Sequence, residues 1–277
     1  MDSAPRVRLA PLFFVSLAAI GFEILLTRYF AIANWSEYGY WVISITMVGF
    51  SVSGVVLSLF KDFFIRHANK LLFAAPLLLM VFACLGYYLT TINPFNPLEF
   101  QNRDLWFDQL VNIWNYYAAL FPFFFFAGLY VGLYFVSFQE QIPRAYAADL
   151  GGAGVGALLV LALLFWLHPF DLLPALFPFL ALAALLQLPD GLKNMRPLVY
   201  GAVLVLLAAC EVFTVKFIHA DFNEYKSIYP PLHVDGNRVV AEIRSPRGYF
   251  LVLDNLTERL DIDLSNNFAV LGAGGPP

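Results

Sequence analysis

Charge is scarce in this chain. Only 13% of its 277 residues are Asp, Glu, Lys or Arg, about half the share of a water-soluble domain. Its Lys and Arg form no dense basic cluster, which excludes the cationic footprint that a nucleic-acid partner requires. Cysteine is nearly missing. Cys84 and Cys210 each fall inside an apolar run, which predicts two unbridged small hydrophobes and no disulfide framework. The four histidines, His67, His168, His219 and His233, are too dispersed for metal-ligand spacing, and no cysteine lies near them. There is no G-x-S-x-G elbow for a nucleophilic serine and no P-loop lysine. These gaps exclude most soluble-style chemistry.

Hydrophobic residues are abundant, at 60% of the chain, with 29 Phe, 14 Tyr and 5 Trp. They gather into seven runs, at residues 9–33, 40–60, 71–92, 113–138, 145–167, 170–188 and 197–218. Runs of about 20 apolar residues match a hydrocarbon core roughly 30 Å thick. In that solvent backbone polar groups must be satisfied within the segment, so each run is expected to be a helix. The expected fold is an all-α polytopic membrane helix bundle of about seven transmembrane helices over residues 1–219, with the lipid bilayer as its partner. Residues 220–277 read as a short soluble β-rich segment. The first run is too long and too aromatic for a cleaved signal peptide and is read as retained.

Basic residues set the expected orientation. With the N-terminus inside, inner segments hold Arg6, Arg8, Lys61, Arg66, Lys70, Arg144, Lys193 and Arg196, whereas the outer loops hold Arg103 alone. The expectation is a cytoplasmic N-terminus. Residues 93–112, with two Asn-Pro breakers, three acids and Trp106, fit an exterior loop. Tyr40, Trp41, Trp114, Tyr116, Tyr117 and Trp166 stand at span ends as an aromatic belt would. Seven crossings carry the tail outside, although long segments translocate largely regardless of charge, so its side stays open.

The stretch "DLGGAGVG" at 149–156 invites a phosphate-loop reading. Its glycines run G-x-G-x-G, and eleven apolar residues follow instead of the third spacing of a dinucleotide fingerprint. Helix packing is the better account, because small residues let backbones approach closely in lipid. Gly152 and Gly156 form one G-x-x-x-G seam, Gly128 and Gly132 a second, and Gly49 with Ser53 and Gly54 a third patch. Such faces also allow a homo-oligomer.

Three acids stand inside apolar runs. A charge at the middle of a span costs at least about 2.5 kcal/mol, so intramembrane acids are functional candidates. Glu23 lies near the centre of the first span, with Arg28 five residues on and roughly 140° round the helix. Arg28 is expected to snorkel to the outer interface or to pair across helices. Glu211 occupies the seventh span. Asp149 opens the fifth, where a helix dipole favours a carboxylate. One function consistent with them is a transporter, in which Glu23 and Glu211, with Asp149 as a further candidate, line a path for a polyamine or another small cation. Pro174 and Pro178 in the sixth run and the glycines of the fifth are broken-helix signals. A purely structural anchor is the other possibility.

In the tail, alternating runs flank Ser245-Pro246-Arg247-Gly248, the signal of a β-hairpin closed by a type I turn. "LDNLTERLDIDL" at 253–264 suggests a further strand. "FAVLGAGGPP" at the end resembles a cofactor loop but has no helix after it.

The stretches "GFEILLTRYFAIANWSEYGYWVISITMVGFSVSGVVLSL", "FFFFAGLYVGLYF" and "YAADLGGAGVGALLV" together resemble the membrane-embedded N-terminal region of bacterial spermidine synthase-like (polyamine aminopropyltransferase-like) proteins. The group's E-x-L-x-x-R element falls on Glu23, Leu25 and Arg28. Its glycine-rich second span falls on Gly49 and Gly54, and its Tyr-Ala-x-Asp stretch on Tyr146, Ala147, Asp149, Gly152 and Ala153. "NEYKSI" and "VVAEIRSPRGYFLVLD" look like the group's junction into its β-stranded lead segment. The resemblance implies a bacterial inner (cytoplasmic) membrane protein associated with polyamine biosynthesis. It also implies aminopropyl transfer from decarboxylated S-adenosylmethionine, by a Rossmann-like domain that would follow Pro277. The family's catalytic and cofactor-binding residues therefore land on no position of this chain.

Overall fold

The computed structural model describes residues 8–254. Six of its helices are long and apolar enough to cross a bilayer: α1 (Leu9–Ala33), α2 (Gly39–Leu59), α4 (Ala68–Thr91), α5 (Trp106–Ser137), α6 (Ile142–Leu163) and α8 (Arg196–Phe217). A short helix, α3 (Lys61–Arg66), links α2 to α4. Helix α5 begins seven residues before the predicted span, so the loop expected over 93–112 is shorter than read.

The sixth predicted span, 170–188, is not one long helix. It breaks into 3-10 turns at Pro169–Asp171 and Leu173–Leu176, then the ten-residue α7 (Phe177–Leu186). The cause is proline: Pro169, Pro174 and Pro178 lack an amide hydrogen and are tolerated only in a first turn, so each starts a new short element. The segment nevertheless runs the full height of the bundle. At one end the Phe170 ring lies 5.6 Å from Tyr29 near the close of α1. At the other, Arg8 donates from Nη1 to the carbonyls of Leu186 (2.5 Å) and Leu188 (3.4 Å). A 3-10 turn rises about 2.0 Å per residue against 1.5 Å for an α-helix, so a shorter segment covers the distance.

The chain thus traverses the bundle seven times. Arg8, Lys61, Arg66, Lys70, Arg144 and Arg196 gather at what we call the basic end, and the tail leaves at the opposite, hairpin end.

Helix α1 is the hub, with 61% of its most apolar window buried against 17% for α6 and α8 at the rim. Helices α6, α7, α2 and α5 pack on it, α4 packs on α5 and α7, and α8 leans on α4 and α7. Aromatic rings fill the centre, with Phe22 4.4 Å from Phe123 between centroids. The outward faces are apolar: Met47, Leu158, Val205 and Val215 are each at least 65% exposed. In water such a surface would aggregate, whereas hydrocarbon accepts it. Tyr40, Trp114 and Trp166 stand exposed toward the hairpin end. Tyr116, by contrast, is buried and turned inward with Trp41 against Phe95, so these two belong to the core and not to a belt.

Beyond α8 come a single turn, α9 (Tyr229–Leu232), and an antiparallel hairpin of β1 (Arg238–Ser245) and β2 (Gly248–Asp254). Ser245 pairs with Gly248 across the two-residue turn, and the register shifts between Val239 and Ala241. No residue other than glycine has positive φ among those described, so Pro246-Arg247 forms neither a primed nor a type II turn. The further strand and the glycine-rich loop read in 253–277 fall, apart from the last residues of β2, outside the described residues.

Candidate functional site

Among the described residues no hydrogen bond or ion pair joins the three acids of the apolar helices. Asp149 accepts a hydrogen bond from Ser16 Oγ at 2.5 Å. Helix α6 starts at Ile142, with Pro143 in its first turn, which places Asp149 two turns in. That position is beyond the reach of the N-terminal dipole, so the sequence-based reading of Asp149 as an N-terminal charge is corrected: its partner is a hydroxyl on α1. Glu23 lies on α1, seven residues and about 10 Å of rise beyond Ser16. Its carboxylate is half-buried and has no hydrogen bond or ion pair among the described residues. Glu211 is on α8, whose neighbours include α4 and α7. Among the described residues no three His, Cys, Asp or Glu side chains gather as metal ligands would. Cys84 and Cys210 are free and buried at the α4–α8 contact.

Five of the six seam glycines sit against a neighbouring helix. A Cβ on Gly152 would collide with the backbone of Phe13, and one on Gly156 with that of Leu17. These contacts advance in the same sense along both chains, so α1 and α6 run parallel at close range. A Cβ on Gly49 would lie 2.6 Å from Phe124, one on Gly128 would meet Ser53 and Phe50, and one on Gly132 would lie 2.9 Å from Leu57, which joins α2 to α5. A Cβ on Gly54 would meet no neighbour within 4 Å, and this glycine faces outward. Its place in the third patch is corrected. Ser53, four residues after Gly49, shares the buried face, and Gly54 is turned away from it.

A dense polar arrangement lies at the hairpin end, where sequence reading singled out Arg28 alone. A helix leaves its last four carbonyls without intrahelical partners. At the close of α1, Asn34 N–H takes the Phe30 carbonyl, and the tail supplies donors to those of Ala31 and Ala33. Asn223 donates its backbone N–H to Ala33 O at 2.9 Å. Lys226 donates from Nζ to Ala31 O at 2.8 Å and to Asn34 O. The last turn of α1 holds no basic residue, so Lys226 brings the cation that the helix dipole favours there. Burial lowers its ammonium below the ordinary lysine value, with Glu37 opposing. Asn34, fully buried, donates from Nδ2 to Tyr225 OH at 2.7 Å.

The hairpin is tied to the same end. Arg244 donates from Nη1 to the carbonyl of Trp166, just past α6, at 3.0 Å. The Tyr249 ring meets His168 edge to face at 4.5 Å, and Phe222 bridges Phe170 and Tyr249. His168 Nδ1 accepts the Phe170 amide at 3.2 Å, which requires an unprotonated nitrogen there. Burial lowers the His168 pKa, with Asp171 raising it, Arg244 lowering it and Glu242 raising it by lesser amounts.

No family model, no curated protein and no solved structure matches this chain.

Proposed function

We propose that this chain is a membrane platform: a bilayer-spanning bundle that holds a β-stranded soluble segment at a fixed orientation on the face opposite its basic loops. The single observation that carries this reading is the completion of the α1 C-terminus by Asn223 and Lys226. Those bonds tie the tail to the most buried helix of the bundle and not to a peripheral loop. The resemblance to spermidine synthase-like proteins supports the same division of labour, with the hairpin as the lead into a catalytic unit. The transporter reading has the broken sixth segment in its favour, but no contact among the described residues links Glu23, Asp149 and Glu211.

Aminopropyl transfer is the activity this resemblance implies, and it depends on which side the hairpin faces. Its donor, decarboxylated S-adenosylmethionine, is made in the cytoplasm. The distribution of Lys and Arg favours a cytoplasmic basic end and hence an exterior hairpin. On that topology the platform holds its soluble unit outside, and aminopropyl transfer is disfavoured.

The platform is tested by hydrogen exchange on the full chain in detergent. Amides of 222–228 and of the hairpin should be protected in the unaltered chain and lose protection in the double variant Lys226→Met, Arg244→Met, with α1 to α8 unchanged. Exchange at unstructured rates before any substitution would defeat the reading. The side is tested separately, with Cys84 and Cys210 replaced by Ser and single cysteines placed at Val240 and Lys61. An impermeant maleimide on intact cells should label the first and spare the second. The opposite pattern would return aminopropyl transfer to favour.

A further inference from the structure

A cleft of about 450 Å³ opens between the last turns of α1, the 222–228 segment and the hairpin turn. Among the described residues three cations line it, Arg28, Lys226 and Arg247, and no carboxylate does. Beside them stand the apolar side chains of Ile32, Ile228 and Leu251. Glu37 is near enough to influence Lys226 but is outside the lining.

The cations differ in what already holds them. Lys226 gives two of its N–H groups to the carbonyls of Ala31 and Asn34. Arg28 and Arg247 have neither a hydrogen bond nor an ion pair among the described residues. Arg28 is half-buried in a transmembrane-length helix, five residues and about 8 Å of rise from its end. An arginine at such a depth is costly without a partner. Its planar fork of donors matches an oxyanion bidentately, which a lysine cannot do.

We propose that this cleft binds a phosphate-type oxyanion carried on an amphiphile. Arg28 and Arg247 hold the head group, Lys226 adds charge from behind, and an apolar stem lies on Ile32, Ile228 and Leu251. The same head-group chemistry is offered by an anionic membrane lipid and by a soluble phosphate compound. The proposal does not rest on the platform reading, since the lining charges are the same whichever side the hairpin faces.

The test uses the full chain in neutral detergent, with native mass spectrometry counting bound molecules over a titration. The probes are dioleoyl phosphatidylglycerol, dioleoyl phosphatidylcholine and inorganic phosphate. Phosphatidylglycerol should fill one saturable site at least about tenfold more tightly than phosphatidylcholine. Arg28→Gln with Arg247→Gln should weaken it at least about tenfold, and Arg103→Gln, in another loop of the same end, should not. Competition by inorganic phosphate with the same arginine dependence assigns a soluble ligand, and absence of competition assigns a lipid head group. Undiminished binding by the double variant, or no saturable site for either anion, overturns the proposal. Should Arg28→Gln fail to fold, the exposed Arg247→Gln alone decides: a loss of about threefold or more upholds the site, and none refutes it.

Discussion

Lys226 reaches across 195 positions of sequence to donate to the carbonyl of Ala31 at 2.8 Å. The contact closes the C-terminus of the central helix with a cation that its last turn lacks. Charged hydrogen bonds of this kind contribute about 1.5–3 kcal/mol, and removing one partner leaves a desolvated carbonyl. Lys226→Met is therefore expected to open the tail locally by that amount while sparing the bundle. Faster proteolysis within 219–237, with unchanged cleavage of the α3 loop, is the expected result. Equal loss at both sites would show that Lys226 supports the whole fold instead.

The glycine seams make a sharper contrast. Gly152→Leu places a side chain into the backbone of Phe13, which cannot move without separating α1 from α6. Overpacking typically costs about 1–3 kcal/mol, and a backbone neighbour puts this case at the top of that range. Gly54→Leu enters open space and should leave stability within about 0.5 kcal/mol. Thermal unfolding in detergent separates the two. Equal destabilisation would mean that Gly54 is covered by a second chain.

Acidification should release the hairpin. Burial holds His168 below its ordinary value of 6.5, so the docked state binds fewer protons than the undocked one. Docking is then complete above about pH 6.5 and weakens as the pH falls through that value. His168→Asn keeps an acceptor for the Phe170 amide and removes the titration. Hairpin amide protection should fall between pH 7.5 and 5.5 in the unaltered chain and stay level in the variant. A parallel fall in both would assign the effect to another group.

These contrasts mark what composition and periodicity reveal and what they do not. Apolar runs of spanning length are local, and six of the seven are helices of that length, with bounds within about four residues except at the start of α5, seven earlier. The sixth run is equally apolar, but Pro174 and Pro178, legible as broken-helix signals, divide it, and hydropathy is blind to a missing amide hydrogen. The G-x-x-x-G pairs announce close contact without naming the partner: nothing in 149–156 points to Phe13. Gly54 failed because one residue of helix turns a side chain by about 100°. The hairpin-end site, Arg28 apart, was invisible for a different reason. Its cations stand at 28, 226 and 247, and the carbonyls they meet are backbone atoms that any sequence possesses.

Glu23 gives the prediction that most directly separates a functional acid from a structural one. Its carboxylate is half-buried and unpartnered among the described residues, unlike Asp149, which is held by Ser16. Removing a charge that has a partner leaves the partner stranded, and removing one that has none relieves desolvation. Glu23→Gln is therefore expected to leave the unfolding temperature unchanged or raise it. Asp149→Leu should lower stability by about 1–3 kcal/mol by orphaning the Ser16 hydroxyl. Circular dichroism melts in one detergent compare the two directly. If Glu23→Gln destabilises as much as Asp149→Leu, the acid has a partner that the described residues do not supply.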